Sequence, residues 1–304
     1  MDLLVNALVS IILAATPLLL AAEGELVAER AGVLNLGVEG MMLTGAIAGF
    51  AAALATGSAA LGAGAGLLAG VALSSVFAVL TLTLHANQTA TGLALTIFGR
   101  GFSALAGFVG MPAPTLPKLH LPVLSGLPVA GPVLFQHDAL VYAALALLAG
   151  IAWGIRRTRL GLVLRAVGDS HDAAHALGYR VVAIRYAAVM FGGALAGLAG
   201  AYMSLSYTPM WAQDLTAGRG WIAVALVTFA AWRPFWLLAG AWFFGALMYL
   251  SLYVQAIGVP VPAAFVSALP YAGTIVMLVV ISRDRRLIRL NRPAMLGRPF
   301  QARA

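Results

Sequence analysis

The sequence predicts an all-α, polytopic membrane protein with eight to ten transmembrane helices. Of its 304 residues, 62% are hydrophobic and 9% are charged, whereas soluble domains carry about 25% charged residues. Long uncharged runs, of the kind that cross a hydrocarbon core of about 30 Å, recur along the chain. Basic residues are concentrated in two segments, 156–185 and 283–303, as is typical of cytosolic segments beside membrane spans. We expect a single transmembrane domain over residues 1–304, without a soluble domain.

The net charge of +8 does not indicate a nucleic-acid partner, because 13 of the 18 Lys and Arg residues lie in those two segments. The chain has no Cys, which excludes disulfides and thiolate metal sites. It also lacks a GxxxxGK[ST] phosphate loop and the HExxH and GxSxG motifs of hydrolytic enzymes. We therefore expect no catalytic residue, no metal site and no cofactor in this chain.

The first span is predicted over Leu3–Ala22, which holds twenty residues without a charge. The next stretch, Glu23–Gly40, carries four acidic residues and one Arg, and its glycines at 32, 37 and 40 would interrupt a regular helix. We interpret the region near 23–40 as a broken or re-entrant element, which membranes tolerate where protein or a cavity covers the backbone. The side on which the N-terminus lies stays open.

Two further spans are predicted over Met41–Ala55 and Leu61–Leu84. Small residues repeat every four positions in the second of these, and again in a later span. This spacing is typical of membrane helices whose backbones pack closely, and we assign these glycines no other role. They are Gly62, Gly66, Gly70, Gly193 and Gly197.

The following span, Ala90–Val109, contains Arg100 near its middle. A charge at the centre of a bilayer costs at least about 2.5 kcal/mol, so we expect Arg100 to be paired or to snorkel rather than to bind solute. Gly110–His137 holds six prolines and only one charge, Lys118, which predicts an external loop. Ala139–Ile155 then returns the chain to the cytosol.

A polar segment, Arg156–Arg185, lies between strongly apolar stretches and holds six arginines. We expect it to be cytosolic. Within it Ala173, Ala174, Leu177 and Val181 fall at helical spacing, which predicts a short amphipathic helix outside the bilayer. Such a helix either lies on lipid headgroups or is held by another protein.

Four spans are predicted after this segment. An external loop, Tyr207–Gly220, is predicted between the first and second of these spans, and Trp232 to Pro234 form a cytosolic turn after the second. Four crossings return the chain to the side from which it started. The basic tail 283–304 is therefore expected in the cytosol. The predicted spans are Tyr186–Leu205, Trp221–Ala231, Phe235–Gln255 and Val261–Ile281.

A carrier driven by protons or sodium usually needs ionisable groups inside its spans. The sequence shows no paired carboxylates within the predicted spans, and after Met41 these spans contain almost no ionisable residue except Arg100. We therefore expect the energy for any transport to come from outside this chain.

Four stretches resemble permease subunits of ABC importers. Asp172 to Gly178, DAAHALG, resembles the EAAxxxG motif, with Asp in place of Glu. The other three resemble the ribose/nucleoside/branched-chain amino acid permease superfamily, nearest to its nucleoside (simple-sugar-type) members, and together the matches cover about residues 23–234. These three are Glu29–Leu43, Arg185–Tyr202 and Gly218–Ala225, the last followed by Trp232 and Pro234.

The resemblance implies a permease subunit of an ATP-driven importer for nucleosides or a similar small polar solute. A simple-sugar (ribose-type) permease is the alternative, and a stand-alone secondary carrier is a weaker one. The implied partners are a cytosolic ABC ATPase, a second related permease, an extracytoplasmic solute-binding protein and the lipid bilayer. The implied location is the bacterial cytoplasmic (inner) membrane.

The resemblance also implies a coupling helix around Asp172 that docks on the ATPase. The sequence departs from the family at Asp169-Ser170-His171, where Glu-Asn-Pro is common, and at Thr96, where Asn is common. The first change leaves the acidic and small character intact, and the second could alter solute choice. The predicted coupling residues are Gly168, Asp169, Asp172, Ala173, Ala174, Leu177 and Gly178, of which Gly178 is expected to turn the chain sharply after the helix.

Five polar residues are candidates for lining the solute path, since polar groups at membrane depth tend to face a cavity. For Asn35 and Glu39, four residues apart on one helical face, the alternative is a structural hydrogen bond. For Asn87, Gln88 and Thr89 the alternative is a helix cap. The five candidates are Asn35, Glu39, Asn87, Gln88 and Thr96.

Overall fold

The computed structural model describes residues 2–300, apart from 106–110, 113, 120, 121, 123, 259–260 and 283–290. Its regular elements over those residues are helices, as the sequence predicts. Six are long and apolar enough to cross a membrane, and two shorter helices, 219–229 and 264–279, are also apolar. In chain order, the α-helices of the described residues are α1 Asp2–Arg30, α2 Val38–Thr56, α3 Ala59–Ala78, α4 Gln88–Ala104, α5 Ala130–Phe135, α6 Ala139–Arg157, α7 Arg159–Asp169, α8 His171–Ala176, α9 Val181–Tyr202, α10 Arg219–Phe229, α11 Pro234–Ala256, α12 Ala263–Ser267 and α13 Leu269–Ser282.

The predicted break after the first span begins later than expected. Helix α1 runs without interruption to Arg30, and only residues 31–37 leave the helix before α2. Gly32 ends α1 in a left-handed conformation, φ +82°, where the amide of Gly32 donates to Glu29 O and that of Val33 to Ala28 O. This pair of hydrogen bonds is the Schellman motif, which satisfies the last carbonyls of a helix. Residues 23–30 therefore belong to a span rather than to a broken element.

This longer α1 corrects the expectation that the spans lack paired carboxylates. Glu23, Glu25 and Glu29 all lie on α1 and are buried. Glu25 Oε1 accepts from the amide of Asn35 at 2.9 Å, and Glu29 Oε2 accepts from Trp232 Nε1 at 2.5 Å. Since burying a charge is tolerated only with such partners, these two carboxyls tie α1 to the turn after it and to the turn before α11.

Four helices, α1, α2, α3 and α9, pack through small residues at the centre of the molecule. A Cβ built on Gly70 of α3 would lie 2.8 Å from Gly197 Cα of α9. A Cβ on Gly66 would lie 2.8 Å from Gly45 O of α2, and one on Gly24 of α1 2.7 Å from Gly192 O. The predicted packing role of the repeated glycines is confirmed, because any side chain there would separate the backbones.

The loop predicted over Tyr207–Gly220 does not stay at the surface. Its last residues pack against Glu39 at the start of α2. Helix α10, which follows, has 11 residues and is about 16 Å long, only half of a hydrocarbon core of about 30 Å. Its other end reaches Trp232, whose indole contacts Glu29 near the end of α1. The segment 208–218 therefore re-enters the bundle and begins α10 at about half its depth.

Residues 159–176 and the described tail residues 291–300 lie at one end of the bundle, which we call the basic end. There the amide of Met295 donates to Gly168 O at 2.8 Å. At the opposite end of α9 the amide of Leu116 donates to Leu205 O at 3.4 Å. The structure shortens the predicted segment 156–185, since α9 begins at Val181 and buries Arg185. Tail residues 283–290 and 301–304 lie outside the described residues.

The glycine packing predicts opposite results for two substitutions on α3. Gly70→Ala places a methyl group against the α9 backbone, whereas Gly64→Ala on the same helix meets nothing within 4 Å. Overpacking of this kind destabilises by about 1–3 kcal/mol. Thermal unfolding in detergent should therefore show a lower midpoint for Gly70→Ala and a midpoint at or above wild type for Gly64→Ala. Equal midpoints would contradict this packing.

Candidate functional site

A cavity of about 350 Å³ lies where the break before α2 and the break before α10 meet. Two discontinuous elements that meet inside a bundle are a common way of building a transport site. The lining combines hydrogen-bonding groups with two aromatic side chains, the mixture typical of small-molecule pockets. The lining residues are Glu39, Leu43, Thr96, Arg100, Asp214, Ala217, Gly218, Trp221 and Tyr271.

Glu39 holds the two breaks together. Its carboxyl oxygens accept from Thr216 Oγ1 at 2.5 Å, from the Gly218 amide at 2.8 Å and from the Gly220 amide at 2.6 Å. The two amides belong to the beginning of α10, where helix N–H groups lack partners within the helix. A carboxylate at this position also interacts favourably with the helix dipole. Glu39, on α2, thus caps α10 from outside its own segment.

Thr96 attaches α4 to the first break. Its hydroxyl donates to Leu36 O at 3.1 Å. Beside it, Gly40 leaves no room for a side chain, since a Cβ there would lie 2.8 Å from Thr96 Cα, and a Cβ on Gly99 would lie 2.6 Å from Gly40 O. Helix α4 is therefore pressed against residues 36–40, and Thr96 sits at that contact while lining the cavity.

Arg100 and Asp214 form an ion pair at the mouth of the cavity. Arg100 Nε donates to Asp214 Oδ1 at 2.9 Å, and a second bond joins Nη2 to Oδ2. The expectation that Arg100 is paired is confirmed. The two side chains nevertheless remain 63% and 38% exposed. Because lipid does not accommodate an exposed charged pair, this face of α4 must meet water or another protein.

The other three path candidates contact backbone outside the cavity lining. Asn87 Oδ1 accepts from the Ala90 amide at 3.0 Å and caps α4. Gln88 Oε1 accepts from the Leu34 amide at 2.9 Å, and Asn35 Oδ1 accepts from the Gly37 amide at 2.9 Å. These contacts match the structural alternatives, a cap and local hydrogen bonds. A role of Asn35, Asn87 and Gln88 in solute passage stays a prediction.

The sequence did not single out four of the lining residues for this site. The sequence predicts only that Arg100 is paired or snorkels, and it places Asp214 in an external loop. A charge inside a span demands a partner of opposite sign, and Asp214 could have been sought on that ground. Trp221 and Tyr271 carried no such signal, because they come from helices whose relative placement depends on the fold.

The predicted coupling segment forms two short helices at the basic end. Thr158 Oγ1 caps α7 by accepting from the Gly161 amide at 3.1 Å, and Ser170 Oγ caps α8 by accepting from the Ala173 amide at 3.2 Å. Gly178 ends α8 at φ +84°, with its amide donating to His175 O and that of Tyr179 to Ala174 O. The sharp turn expected at Gly178 is confirmed.

The apolar face expected on this helix is divided in the structure. Ala174 is buried, and Val181 is the first residue of the buried start of α9. Ala173 and Asp172 are exposed, and Leu177 is 74% exposed. The reason is that α8 stops at Ala176, so the 3.6-residue period does not continue to Leu177 and Val181. The exposed surface therefore carries an apolar side chain beside a carboxylate.

Gly168 and Asp169, at the end of α7, occupy different environments. Gly168 is buried directly against Arg30 O, where a Cβ would collide with that carbonyl. Asp169 is exposed. Thus Gly168 joins the coupling segment to the end of α1, and Asp169 faces outward together with Asp172.

His171 is buried at the start of α8, and its surroundings predict a pH response. Burial and, to a smaller extent, the nearby Arg185 cation together lower the pKa of His171 to about 4, against an opposing effect of Asp172. Its pKa in the unfolded chain is about 6.5, so the unfolded state binds more protons between those values. The packing of α8 is therefore stable above about pH 6.5 and weakens as the pH falls towards 4.

Thermal unfolding in detergent between pH 7 and 4.5 measures this response. His171→Asn, which cannot titrate, should reduce the loss of stability on acidification. An NMR titration in which His171 protonates near pH 6.5 would contradict the assignment.

Glu39 predicts a strong and specific effect on stability. Glu39→Gln keeps the size of the side chain but turns an NH2 group towards donors, and losing hydrogen bonds to a charged acceptor costs about 1.5–3 kcal/mol each. The unfolding midpoint should fall clearly. Thr216→Ser, which preserves the hydroxyl donor, should remain close to wild type. A wild-type midpoint for Glu39→Gln would show that this carboxyl does not hold α10.

Comparison with known proteins agrees with this architecture. The family described as "Branched-chain amino acid transport system / permease component" matches residues 7–281. The putative glucose ABC transporter permease protein TsgC13 of Haloferax volcanii is 44% identical over 260 residues, which cover 84% of this chain and 78% of that protein. No solved structure matches the chain significantly.

Two further relatives are the nucleoside ABC transporter permease protein NupC of Lactococcus lactis and the guanosine ABC transporter permease protein NupQ of Bacillus subtilis. Each is 31% identical, over 86% and 87% of this chain and 88% of each relative. The family match covers nearly the whole chain, and the relatives agree with the superfamily that the sequence motifs indicate. The chain therefore belongs to this permease family and is a multi-pass permease subunit of an ABC transporter in the cytoplasmic membrane.

Proposed function

We propose that the cavity at Glu39 carries a small, neutral, polyhydroxylated solute, with a nucleoside as the first candidate. The observation behind this proposal is that the charged groups of the lining already have hydrogen-bond or ion-pair partners. Glu39 already accepts three hydrogen bonds, and Arg100 is paired with Asp214. An amino acid would need partners for both its ammonium and its carboxylate. The hydroxyls of Thr96 and Tyr271 donate to Leu36 O and Ala217 O and can still accept from solute hydroxyls, and the rings of Trp221 and Tyr271 suit a flat ring.

A monosaccharide is the second candidate, and one observation favours it. The relative that is 44% identical is named as a putative glucose permease, whereas the two named for nucleosides are 31% identical. A cavity of about 350 Å³ is near the lower end of ligand pockets, which suits a single sugar or nucleoside rather than an oligosaccharide. Both candidates share the hydroxylated five- or six-membered ring.

The chain supplies one half of the translocation path in this proposal. The ion pair of Arg100 and Asp214 is exposed on the same side of α4 as the exposed apolar residue Ile97. A second related permease facing this side would enclose both the apolar side chain and the charged pair. Exposure of the charged pair to lipid would be energetically costly. An extracytoplasmic solute-binding protein would deliver the solute at the end opposite to the basic end.

The ATPase is proposed to bind the basic end at α7 and α8. Leu160 on α7 is 83% exposed, and Leu177 after α8 is also largely exposed. A short helix with exposed apolar side chains fits a groove on a partner protein, and Asp169 and Asp172 add charge beside it. Hydrolysis of ATP then takes place on that separate subunit, and this chain needs no cofactor of its own.

Uptake of a panel of labelled solutes tests the proposed substrate. Cells that express the complete transporter should accumulate guanosine or uridine in preference to leucine, and unlabelled ribose and glucose should show whether a sugar competes. Preferential uptake of leucine, unaffected by excess nucleoside or sugar, would contradict the neutral-solute proposal.

The proposed ATPase contact predicts loss of coupling from two single changes. Gly178→Trp and Asp172→Arg alter the exposed surface of the coupling segment and should reduce uptake by at least about tenfold, consistent with coupling free energies of 1–3 kcal/mol. Membrane insertion and solute binding by the partner protein should persist.

Gly57→Trp is the matched control. Gly57 also has a positive φ, +69°, with nothing within 4 Å of a Cβ, but it lies in the turn after α2, away from the proposed contact. If Gly178→Trp and Asp172→Arg both transported like wild type, α8 would be a lipid-surface helix rather than the coupling element.

A further inference from the structure

The C-terminal segment 291–300, which we call the tail clamp, packs between the coupling helices and the turn after α1. The amide of Met295 donates to Gly168 O at 2.8 Å, and the amide of Gly297 donates to Gly32 O at 3.2 Å. Gly168 lies in the last turn of α7, and Gly32 terminates α1. One short segment therefore hydrogen-bonds to both of the elements that meet at the basic end.

Two arginine side chains, one buried and one partly buried, strengthen this bridge. Arg185 of α9 donates through Nη2 to Gly32 O at 3.1 Å and to Arg298 O at 3.0 Å. Arg30 of α1 donates through Nη1 to Asn291 O at 3.0 Å and through Nη2 to Trp232 O at 2.7 Å. Hydrogen bonds from a charged donor are about twice as strong as neutral ones. The backbone of the tail clamp is thus held at both of its ends.

Phe300 anchors the tail clamp on α8. Its side chain is only 8% exposed and packs with Val167, Ala174 and Val181. Its ring centroid lies 5.6 Å from that of His171 and 5.6 Å from that of His175. Its carbonyl also contacts His85 Nε2, just beyond α3, at 3.1 Å. A shift of α8 must therefore move Phe300 or break this apolar cluster.

The clamp lies next to the turn that leads to the cavity. A Cβ built on Gly32 would lie 3.2 Å from His171 Nε2 and 3.3 Å from Met295 O. From Gly32 the chain needs only seven residues to reach Glu39, and Thr96 bonds Leu36 O on the way. Energetic coupling between distant sites travels through contiguous contacts of this kind.

We propose that residues 291–300 position the coupling helix α8 against the turn at 31–37, so that movement at the ATPase contact reaches the solute cavity. Phe300 is the positioning residue of this device, and it contacts neither solute nor ATP. The proposal rests on the proposed ATPase contact at α8. It adds that this contact alone is insufficient for transport without the clamp behind it.

The test compares Phe300→Ala with Arg298→Ala in the full chain. Arg298 is the matched control because its side chain is exposed and its hydrogen bonds use only its backbone: its amide donates to Met295 O, and its carbonyl accepts from Arg185. Each variant is co-purified with its ATPase and partner permease and reconstituted with the binding protein. The readouts are ATPase co-purification, basal ATP hydrolysis, and stimulation by guanosine or glucose, whichever the wild-type complex transports.

Phe300→Ala should keep ATPase co-purification and basal hydrolysis and should lose solute stimulation by about fivefold or more, within the usual range of coupling between sites. Arg298→Ala should behave as wild type. Wild-type stimulation in Phe300→Ala would overturn the clamp. Equal loss in Arg298→Ala would also overturn it, because the effect would then not depend on the buried ring.

If Phe300→Ala does not accumulate in the membrane, Phe300→Leu tests the clamp instead. Leu retains most of the buried apolar volume but removes the contacts with the two imidazole rings. Reduced stimulation with intact assembly supports the clamp, and wild-type stimulation contradicts it. If the wild-type complex itself binds no ATPase, the proposed function is wrong, and the clamp is wrong with it. If the wild-type complex binds the ATPase but Phe300→Ala is stimulated like wild type, only the clamp is wrong.

Discussion

The contact between Glu39 and the beginning of α10 is the interaction on which the architecture of the site depends. Two segments of the chain, 31–37 and 208–218, leave helical structure inside the bundle, where exposed backbone would be costly. One carboxyl on α2 satisfies the free amides of α10 and the hydroxyl of Thr216. Without it, α10 would begin inside the membrane with unpaired N–H groups. The cavity exists because these two breaks are held in this position.

The same first break reaches the other functional region of the molecule. At one end it begins at Gly32, beside His171 and the tail clamp, and at the other it ends at the Glu39 cavity. Around it, the glycine contacts of α1, α2, α3 and α9 form a closely packed core. Close-packed interiors transmit displacement rather than absorb it. The short irregular segment 31–37 thus connects the basic end to the cavity within this packed core.

The sequence predicted the helical class, the two basic segments and the packing role of the glycines, because composition, charge placement and small-residue spacing each act locally. It placed the first break too early, since buried partners such as Asn35 and Trp232 accommodate the carboxyls of α1 within a span. It also put residues 207–220 outside, because hydropathy does not show that a short helix can begin at half depth. Glu39 and Thr96 were found as polar residues at membrane depth, whereas Trp221 and Tyr271 depend on tertiary placement.

The central claim is that solute passes through the Glu39 cavity, and protection of an introduced thiol tests it most directly. The chain has no native Cys, so Thr96→Cys in the cavity and Ala55→Cys, exposed in the last turn of α2, can be compared in the assembled transporter. The account predicts that the transported solute slows labelling at position 96 by a maleimide and leaves position 55 unchanged. Equal labelling at position 96 with and without saturating solute, in a variant that still transports, would contradict it.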